Sequence, residues 1–205
     1  MLRRTLLVLT ATIAIATAAA SLVQAQSGKV VATFGSGCFW CTESDFDKVE
    51  GVLETTSGFM GGTLPNPSYD MVTSGKTGHV EVVQITYDPA KVSYKQLLDV
   101  YWKNVDPFDA NGQFCDKGSH YRPVVFAHGA EQKALADASK AEKAKELGQR
   151  FKFPVVVSIE DAKPFTAAEA YHQDFYKKNP SHYTRYRLGC GRDARLRQIW
   201  APATN

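Results

Sequence analysis

Two cysteines flank a pair of large aromatics behind a glycine-rich turn in Gly35-Ser36-Gly37-Cys38-Phe39-Trp40-Cys41. Residues 30–34, Val-Val-Ala-Thr-Phe, read as a short buried strand, and residues 42–49 as a helix with Phe46 and Val49 on one face. A strand entering a helix through glycines places Cys38 at a helix N-terminus. Free backbone N–H groups and the positive end of the helix dipole stabilise a thiolate there, which predicts a thiol pKa below the ordinary value of about 8.5. Phe39 and Trp40, lying between the sulfurs, suit an apolar substrate pocket better than a zinc knuckle.

Residues 1–25 start Met1-Leu2-Arg3-Arg4, pass through an apolar run and end Val23-Gln24-Ala25. This is the plan of a secretory signal, with cleavage expected after Ala25. The run is short for a membrane span and is broken by threonines, so no stable membrane insertion is expected once the leader is removed. Cleavage leaves 180 residues, 26–205, the size of a single domain, and lowers the formal charge from +3 to +1. Acids and bases interleave without a basic face, which argues against nucleic acid as a partner. Four cysteines in an exported chain would ordinarily form two disulfides. Their positions, 38, 41, 115 and 190, are not those of a small stapled scaffold, and a redox role competes.

Along the chain, residues 52–60 read as a second strand, followed by Gly61-Gly62 and a long polar loop through Tyr69. Ser74-Gly75-Lys76-Thr77-Gly78 lacks the first glycine of a phosphate loop. Residues 79–87 alternate as a strand. Ser93 then caps a helix reaching Asn104, with Tyr94, Leu97, Leu98, Tyr101 and Trp102 as its core stripe. The loop over residues 106–122 is long enough to imply function. A strand at 123–127, a lysine- and alanine-rich helix at 130–149 and a last strand at 155–159 follow. Thr166 and Glu169 suggest a capping box opening a helix at 167–178, after which a coil carries Cys190 back toward Cys38. The order of elements predicts an α/β fold, a ferredoxin-like split βαβ sandwich wrapped by a long C-terminal coil.

A thiolate nucleophile needs a proton donor for its leaving group and a way to be reset. Glu81 sits among apolar strand residues, where burial would keep it protonated as an acid; on a solvent face it would be an ordinary carboxylate. Tyr69 and Tyr121 could donate to an oxygen, and Asp116 could orient a donor or cap its loop. No second C-x-x-C and no H-x-x-x-H accompanies the cysteines, so no metal is expected, and no nucleotide or prosthetic cofactor is implied.

Gly37-Cys38-Phe39-Trp40-Cys41, Gly78-His79-Val80-Glu81, residues 116–122 and Ala168-Glu169-Ala170-Tyr171-His172-Gln173 together closely resemble the peptide methionine sulfoxide reductase A family, over about residues 30–179. The resemblance implies that Cys38 attacks the sulfoxide sulfur, that Glu81 is the acid and that Tyr69 and Tyr121 bind the oxygen. Phe39 and Trp40, with Asp116, fall on the substrate side. It also implies a sulfenic acid on Cys38, resolved by either Cys41 or Cys190, and a disulfide exchanged with a thioredoxin-like reductant. The implied substrate is the S epimer of methionine sulfoxide in oxidised proteins or free, and the leader of residues 1–25 puts the expected site of action in the periplasm or outside the cell. The chain departs from the family pattern at His120, where glutamine is usual, at Pro123, where serine or threonine is common, and in the extra thiol of Cys115. Two other classes compete: a general thiol–disulfide oxidoreductase using Cys38 and Cys41, and a secreted binding domain with two static disulfides.

Overall fold

The computed structural model describes residues 30–201, so the leader and its cleavage point lie outside the described residues. In chain order the elements are β1 (Val30–Gly35), α1 (Phe39–Phe46), β2 (Val52–Met60), α2 (Tyr69–Thr73), β3 (Val80–Tyr87) and α3 (Tyr94–Lys103). Next come the short strands β4 (Gly112–Gln113) and β5 (Asp116–Lys117), a 3-10 turn at Ser119–Tyr121, β6 (Val124–Ala127) and α4 (Ala130–Gly148). The chain continues through β7 (Ser158–Asp161), β8 (Thr166–Ala167), α5 (Phe175–Lys178), α6 (Pro180–Gly189) and α7 (Arg192–Trp200).

Six strands form one sheet in the order β7-β6-β1-β3-β2-β8. The inner four, β6-β1-β3-β2, are mutually antiparallel neighbours. With α1 following β1 and α3 following β3, this is the split βαβ arrangement expected from the sequence. α4 crosses over to bring β7 parallel to β6, and β8 adds to the outer side of β2 at Gly58 and Phe59. β4 and β5 pair separately.

Strand periodicity decides what faces the helices. Val83, Ile85 and Tyr87 join Phe46, Leu97, Leu98, Tyr101 and Trp102 in the main core, whereas Val80 and Val82 pack on the opposite face with Met60, Val124 and Phe126. Glu81 shares the parity of Val83 and so points toward α1. Phe34 stacks between Phe46 and Tyr101, with ring centroids at 5.2 and 5.1 Å, tying β1 to α1 and α3. The cap of α3 is complete: the Gln96 N–H donates to Ser93 Oγ, and the Ser93 N–H donates to Gln96 Oε1 at 2.8 Å.

The structure departs from the sequence expectations mainly after residue 150. α1 begins at Phe39, three residues ahead of the expected start, and α2 occupies part of the expected loop, capped by Ser68. β7 lies at 158–161 instead of 155–159, because the Val156 N–H donates to Pro107 O at 2.8 Å and Val157 turns into the core. The helix expected at 167–178 survives only as α5. Thr166 and Ala167 pair with Phe59 and Gly58, Glu169 accepts the Tyr69 N–H at 3.0 Å instead of capping its own helix, and Asp174 adopts φ 54°. Gln173 binds the β2 edge with its side chain: Oε1 accepts the Ser57 N–H at 2.9 Å and Nε2 donates to Ser57 O at 2.8 Å. The expected C-terminal coil is two helices, α6 with Pro180 at its first turn and α7 entered through Gly191 at φ 69°.

Candidate active site

β1 hands the chain to α1 through Gly37, whose φ of 85° favours glycine and whose added Cβ would lie 2.6 Å from Gln113 Cβ. The turn is fastened from behind. Arg192, only 1% exposed, donates through Nη1 to Ser36 O at 2.9 Å and through Nη2 to Asn104 O at 2.7 Å, while the Tyr101 hydroxyl donates to Gly35 O at 3.2 Å. Cys38 therefore stands at the N-cap of α1, its carbonyl accepting the Cys41 and Thr42 N–H groups.

The Phe39 N–H donates to Glu81 Oε2 at 3.0 Å, so this free amide of α1 serves the carboxyl group and not the sulfur. Cys38 is 7% exposed, and burial pushes its thiol well up, reinforced by Cys41 and by the charge of Glu81. This corrects the expectation of a lowered pKa: desolvation outweighs the helix terminus. The Tyr186 hydroxyl acts in the other direction, stabilising the thiolate.

Glu81 is 1% exposed, and burial raises it to about 8 against the pull of the Phe39 N–H. Its Oε1 has no hydrogen-bond partner among the described residues. Tyr69 is raised to about 12 and Tyr121 well above its usual value, each mainly by burial and then by the charge of Glu81. Tyr69 and Tyr121 each feel the charges of Glu81 and Cys38, and Cys38 feels that of Glu81, so these groups form one cluster.

An aromatic wall adjoins this cluster. The Trp40 Nε1–H donates to His172 Nδ1 at 3.0 Å, and the His172 ring lies 4.3 Å from Tyr69. Trp40 stacks on Phe175 with centroids 3.6 Å apart and meets the edge of Tyr186 at 5.8 Å. The two aromatics of the motif divide: Phe39 is buried against Phe59 beneath the site, and Trp40 alone of the pair keeps exposed surface.

The four cysteines divide as well. Cys190 is bonded to Cys115 across 75 residues, while Cys38 and Cys41 are free, buried and in contact. Two static disulfides, as a binding scaffold would have, are therefore not what forms. Cys190 stays with Cys115 and Asp116, and Cys41 is the free thiol against Cys38. Cys41 is drawn down to about 7, first by Cys38 and then, against burial, by the guanidinium groups of Arg192 and Arg187.

Asp116 accepts a hydrogen bond from the Tyr186 hydroxyl. Tyr186, Arg187 and Arg192 are the site residues that sequence reasoning misses. α6 and α7 carry no clear apolar stripe; Arg187 instead reaches Asp45 at 2.8 Å and Asp193 at 2.8 Å, and Arg192 lies 3.8 Å from Asp45. The one readable signal is Asn179-Pro180, a helix start.

The chain matches the model of the family described as "Peptide methionine sulfoxide reductase" over residues 30–204. It is 50% identical over 172 residues to the peptide methionine sulfoxide reductase MsrA of Bacillus subtilis, covering 84% of this chain and 96% of that one. With its namesake from Ligilactobacillus salivarius it shares 49% identity over 172 residues, covering 84% of this chain and 98% of the relative. Among solved structures, methionine sulfoxide reductase A of Corynebacterium diphtheriae superposes with a TM-score of 0.71 at 30% identity, covering 76% of this chain and 77% of that one. Reduced Mxr1 from Saccharomyces cerevisiae gives 0.70 at 31% identity, covering 76% and 88%. From residue 30 onward, the chain belongs to the peptide methionine sulfoxide reductase family.

Proposed function

We propose that the chain reduces methionine S-sulfoxide, in oxidised proteins and free, with Cys38 as nucleophile and Glu81 as acid. The observation that carries this reading is the buried Glu81, held protonated up to about pH 8 with Oε1 unpartnered, beside the Cys38 sulfur and the Tyr69 and Tyr121 hydroxyls. A sulfoxide oxygen in this cradle receives a proton from Glu81 and hydrogen bonds from two phenols, which stabilise the charge that develops as its bond to sulfur breaks. Trp40, backed by Phe175, offers the apolar surface for the methyl group.

The Cys38 sulfur bonds to the substrate sulfur with loss of its own proton; as that bond and the bond from substrate sulfur to oxygen break, the hydroxyl ends on Cys38, so methionine leaves and a sulfenic acid, the first step of cysteine oxidation, remains. Cys41, already against Cys38 and the more acidic of the two, condenses with it to a disulfide and water. A thioredoxin-like dithiol then restores both thiols by exchange, becoming a disulfide itself. The general thiol–disulfide oxidoreductase reading is not favoured, because the family match spans residues 30–204 and disulfide exchange has no use for a buried acid and two phenols beside the cysteine.

Incubation of purified protein with dithiothreitol and each epimer of methionine sulfoxide tests the reading. The S epimer should be consumed; consumption of the R epimer alone would refute it. The same reading places the mature chain in the periplasm or outside the cell. Its support is the leader pattern of residues 1–25 and the Cys115–Cys190 bond, a kind that persists in oxidising compartments. N-terminal sequencing of exported protein should begin at Gln26.

A further inference from the structure

Arg192 opens α7 directly after the turn at Gly191, and its guanidinium ends inside the molecule against the turn that carries Cys38. Nη1 donates to Ser36 O at 2.9 Å; Nη2 donates to Asn104 O at 2.7 Å and to Ser36 Oγ at 3.2 Å. From Ser36 the hydrogen bonds run on to the nucleophile. The Thr42 hydroxyl donates to Cys38 O at 3.4 Å, so at the 2.8 Å contact between the two hydroxyls Ser36 is the donor. Arg192, Ser36, Thr42 and the Cys38 carbonyl thus form one directed run, and all four residues are buried.

A second set of contacts holds Arg192 itself. Cys190 lies two residues before it and is bonded to Cys115, whose N–H also donates to Cys190 Sγ at 3.2 Å. Phe114, the neighbour of Cys115, takes φ 56° and sets its ring 4.5 Å from the guanidinium carbon of Arg192. One residue further back, Gln113 is buried and bound both ways to the Asp106 backbone at 2.8 Å, and its Cβ occupies the space that a side chain at Gly37 would need. The disulfide therefore joins two segments, 113–115 and 190–192, that both rest on the Ser36-Gly37 turn. The charge of Arg192 does not explain this placement. Asp45 lies 3.8 Å away and takes Arg187 at 2.8 Å instead, so the fork of Arg192 is spent on a hydroxyl and two backbone oxygens.

We propose that Arg192 is a positioning residue for the Cys38 nucleophile, acting through Ser36 and Thr42, with the Cys115–Cys190 bond as the clasp that keeps it in place; this rests on the assignment of Cys38 as nucleophile. Attack on a sulfoxide requires the Cys38 sulfur to stay fixed relative to the acid Glu81, and a small displacement costs rate without touching substrate binding. Arginine suits the task, because its planar fork meets three acceptors at set angles, which an ammonium group on a flexible stem does not.

The clasp is open to chemistry, since Cys115 is exposed where Cys38 and Cys41 are buried. A thiolate of a dithiol reductant attacks the Cys115 sulfur, and the bond to Cys190 breaks with its electron pair on the Cys190 sulfur. The second thiol of the reductant then displaces Cys115. Both protons of the dithiol end on the two cysteines, and the reductant leaves as a disulfide. Once Phe114 is no longer tied to Cys190, Arg192 loses the ring that covers it, so full activity belongs to the oxidised clasp.

The test measures methionine release in a single turnover without reductant. It compares protein with two free thiols against protein with four, its clasp opened by excess dithiothreitol that is then removed. Opening should slow release about fivefold, and Arg192→Lys about tenfold, each with substrate affinity retained to within about twofold. Opening the clasp in Arg192→Lys should cost nothing more, because both changes act through one contact. Equal losses on opening in parent and variant, or release within about twofold of the parent after either change, overturn the proposal. If Arg192→Lys does not fold, Ser36→Ala interrupts the run of hydroxyls alone and should slow release about threefold; an unchanged rate refutes the path. Amide hydrogen exchange over residues 36–42 is a readout free of sulfoxide, and should quicken about tenfold on opening and in Arg192→Lys. Slower release with unchanged exchange overturns the positioning role. The expected exchange response in a parent that releases no methionine would refute the sulfoxide reading and leave the clasp standing.

Discussion

The Phe39 N–H donates to Glu81 Oε2 at 3.0 Å, so the start of α1 anchors a carboxyl group two strands away in sequence order instead of activating the cysteine that caps it. One oxygen of Glu81 is thereby oriented and the other left for an incoming atom. Glu81→Gln keeps the shape and removes the transferable proton. Turnover should fall about a hundredfold or more while substrate affinity is retained. Parent turnover should decline above about pH 8, where Glu81 ionises, and the residual rate of the variant should lose that limb. Methionine release measured from pH 6 to 10 checks both.

The same carboxyl group shapes stability. Its pKa is about 8 in the folded chain against 4.5 as an ordinary glutamate, so between those values the folded state holds a proton that the unfolded state has released. The stabilisation is complete below pH 4.5, is lost as the pH rises toward 8 and is flat beyond. Glu43, raised to about 7 chiefly by burial, adds the same sign over a narrower window. Urea midpoints from pH 5 to 9 should fall with pH, and each of Glu81→Gln and Glu43→Gln should flatten its own part of the curve.

Cys41→Ser leaves Cys38 able to attack but without the thiol that faces it. Such protein should release one methionine per chain and then stall with a thioredoxin as reductant. Cys190→Ser should continue through repeated turnovers, since Cys190 is engaged with Cys115 in the first place. Counting methionine released per chain distinguishes the two; stalling of Cys190→Ser at one equivalent would reverse the assignment.

Removing the Cys115–Cys190 bond, by serine at both positions, frees a loop of 75 residues' separation in the unfolded chain. Chain entropy puts the cost at about 4 kcal/mol, which a urea titration under non-reducing conditions will register. No comparable change is expected from deleting an exposed pair such as Lys95 and Asp99, where about 1 kcal/mol is the upper end.

What could be read from the chain follows what holds each part in place. β1, β2, β3 and α3 declare themselves because apolar residues recur at strand or helix spacing and because Ser93 and Gln96 form a local cap. Glu81 could be singled out for the same reason, as an acid inside an apolar alternation. The segment after residue 164 is organised by distant partners. Thr166 pairs with Phe59, Glu169 binds the backbone of Tyr69, and Arg187 and Arg192 reach across to Asp45. None of these leaves a periodic trace, so a helix was expected where the chain turns and a coil where it is helical. Tyr186 was hidden with them, one tyrosine among nine until α6 set it against Trp40 and Asp116.

The outer side of β2 is joined by β8 at only two residues, and the Gln173 amide takes the next backbone pair at Ser57. An uncovered strand edge is a template for another chain. By occupying the backbone of β2 with a side chain that cannot propagate a ladder, Gln173 closes to further strands an edge that two residues of β8 cover only in part.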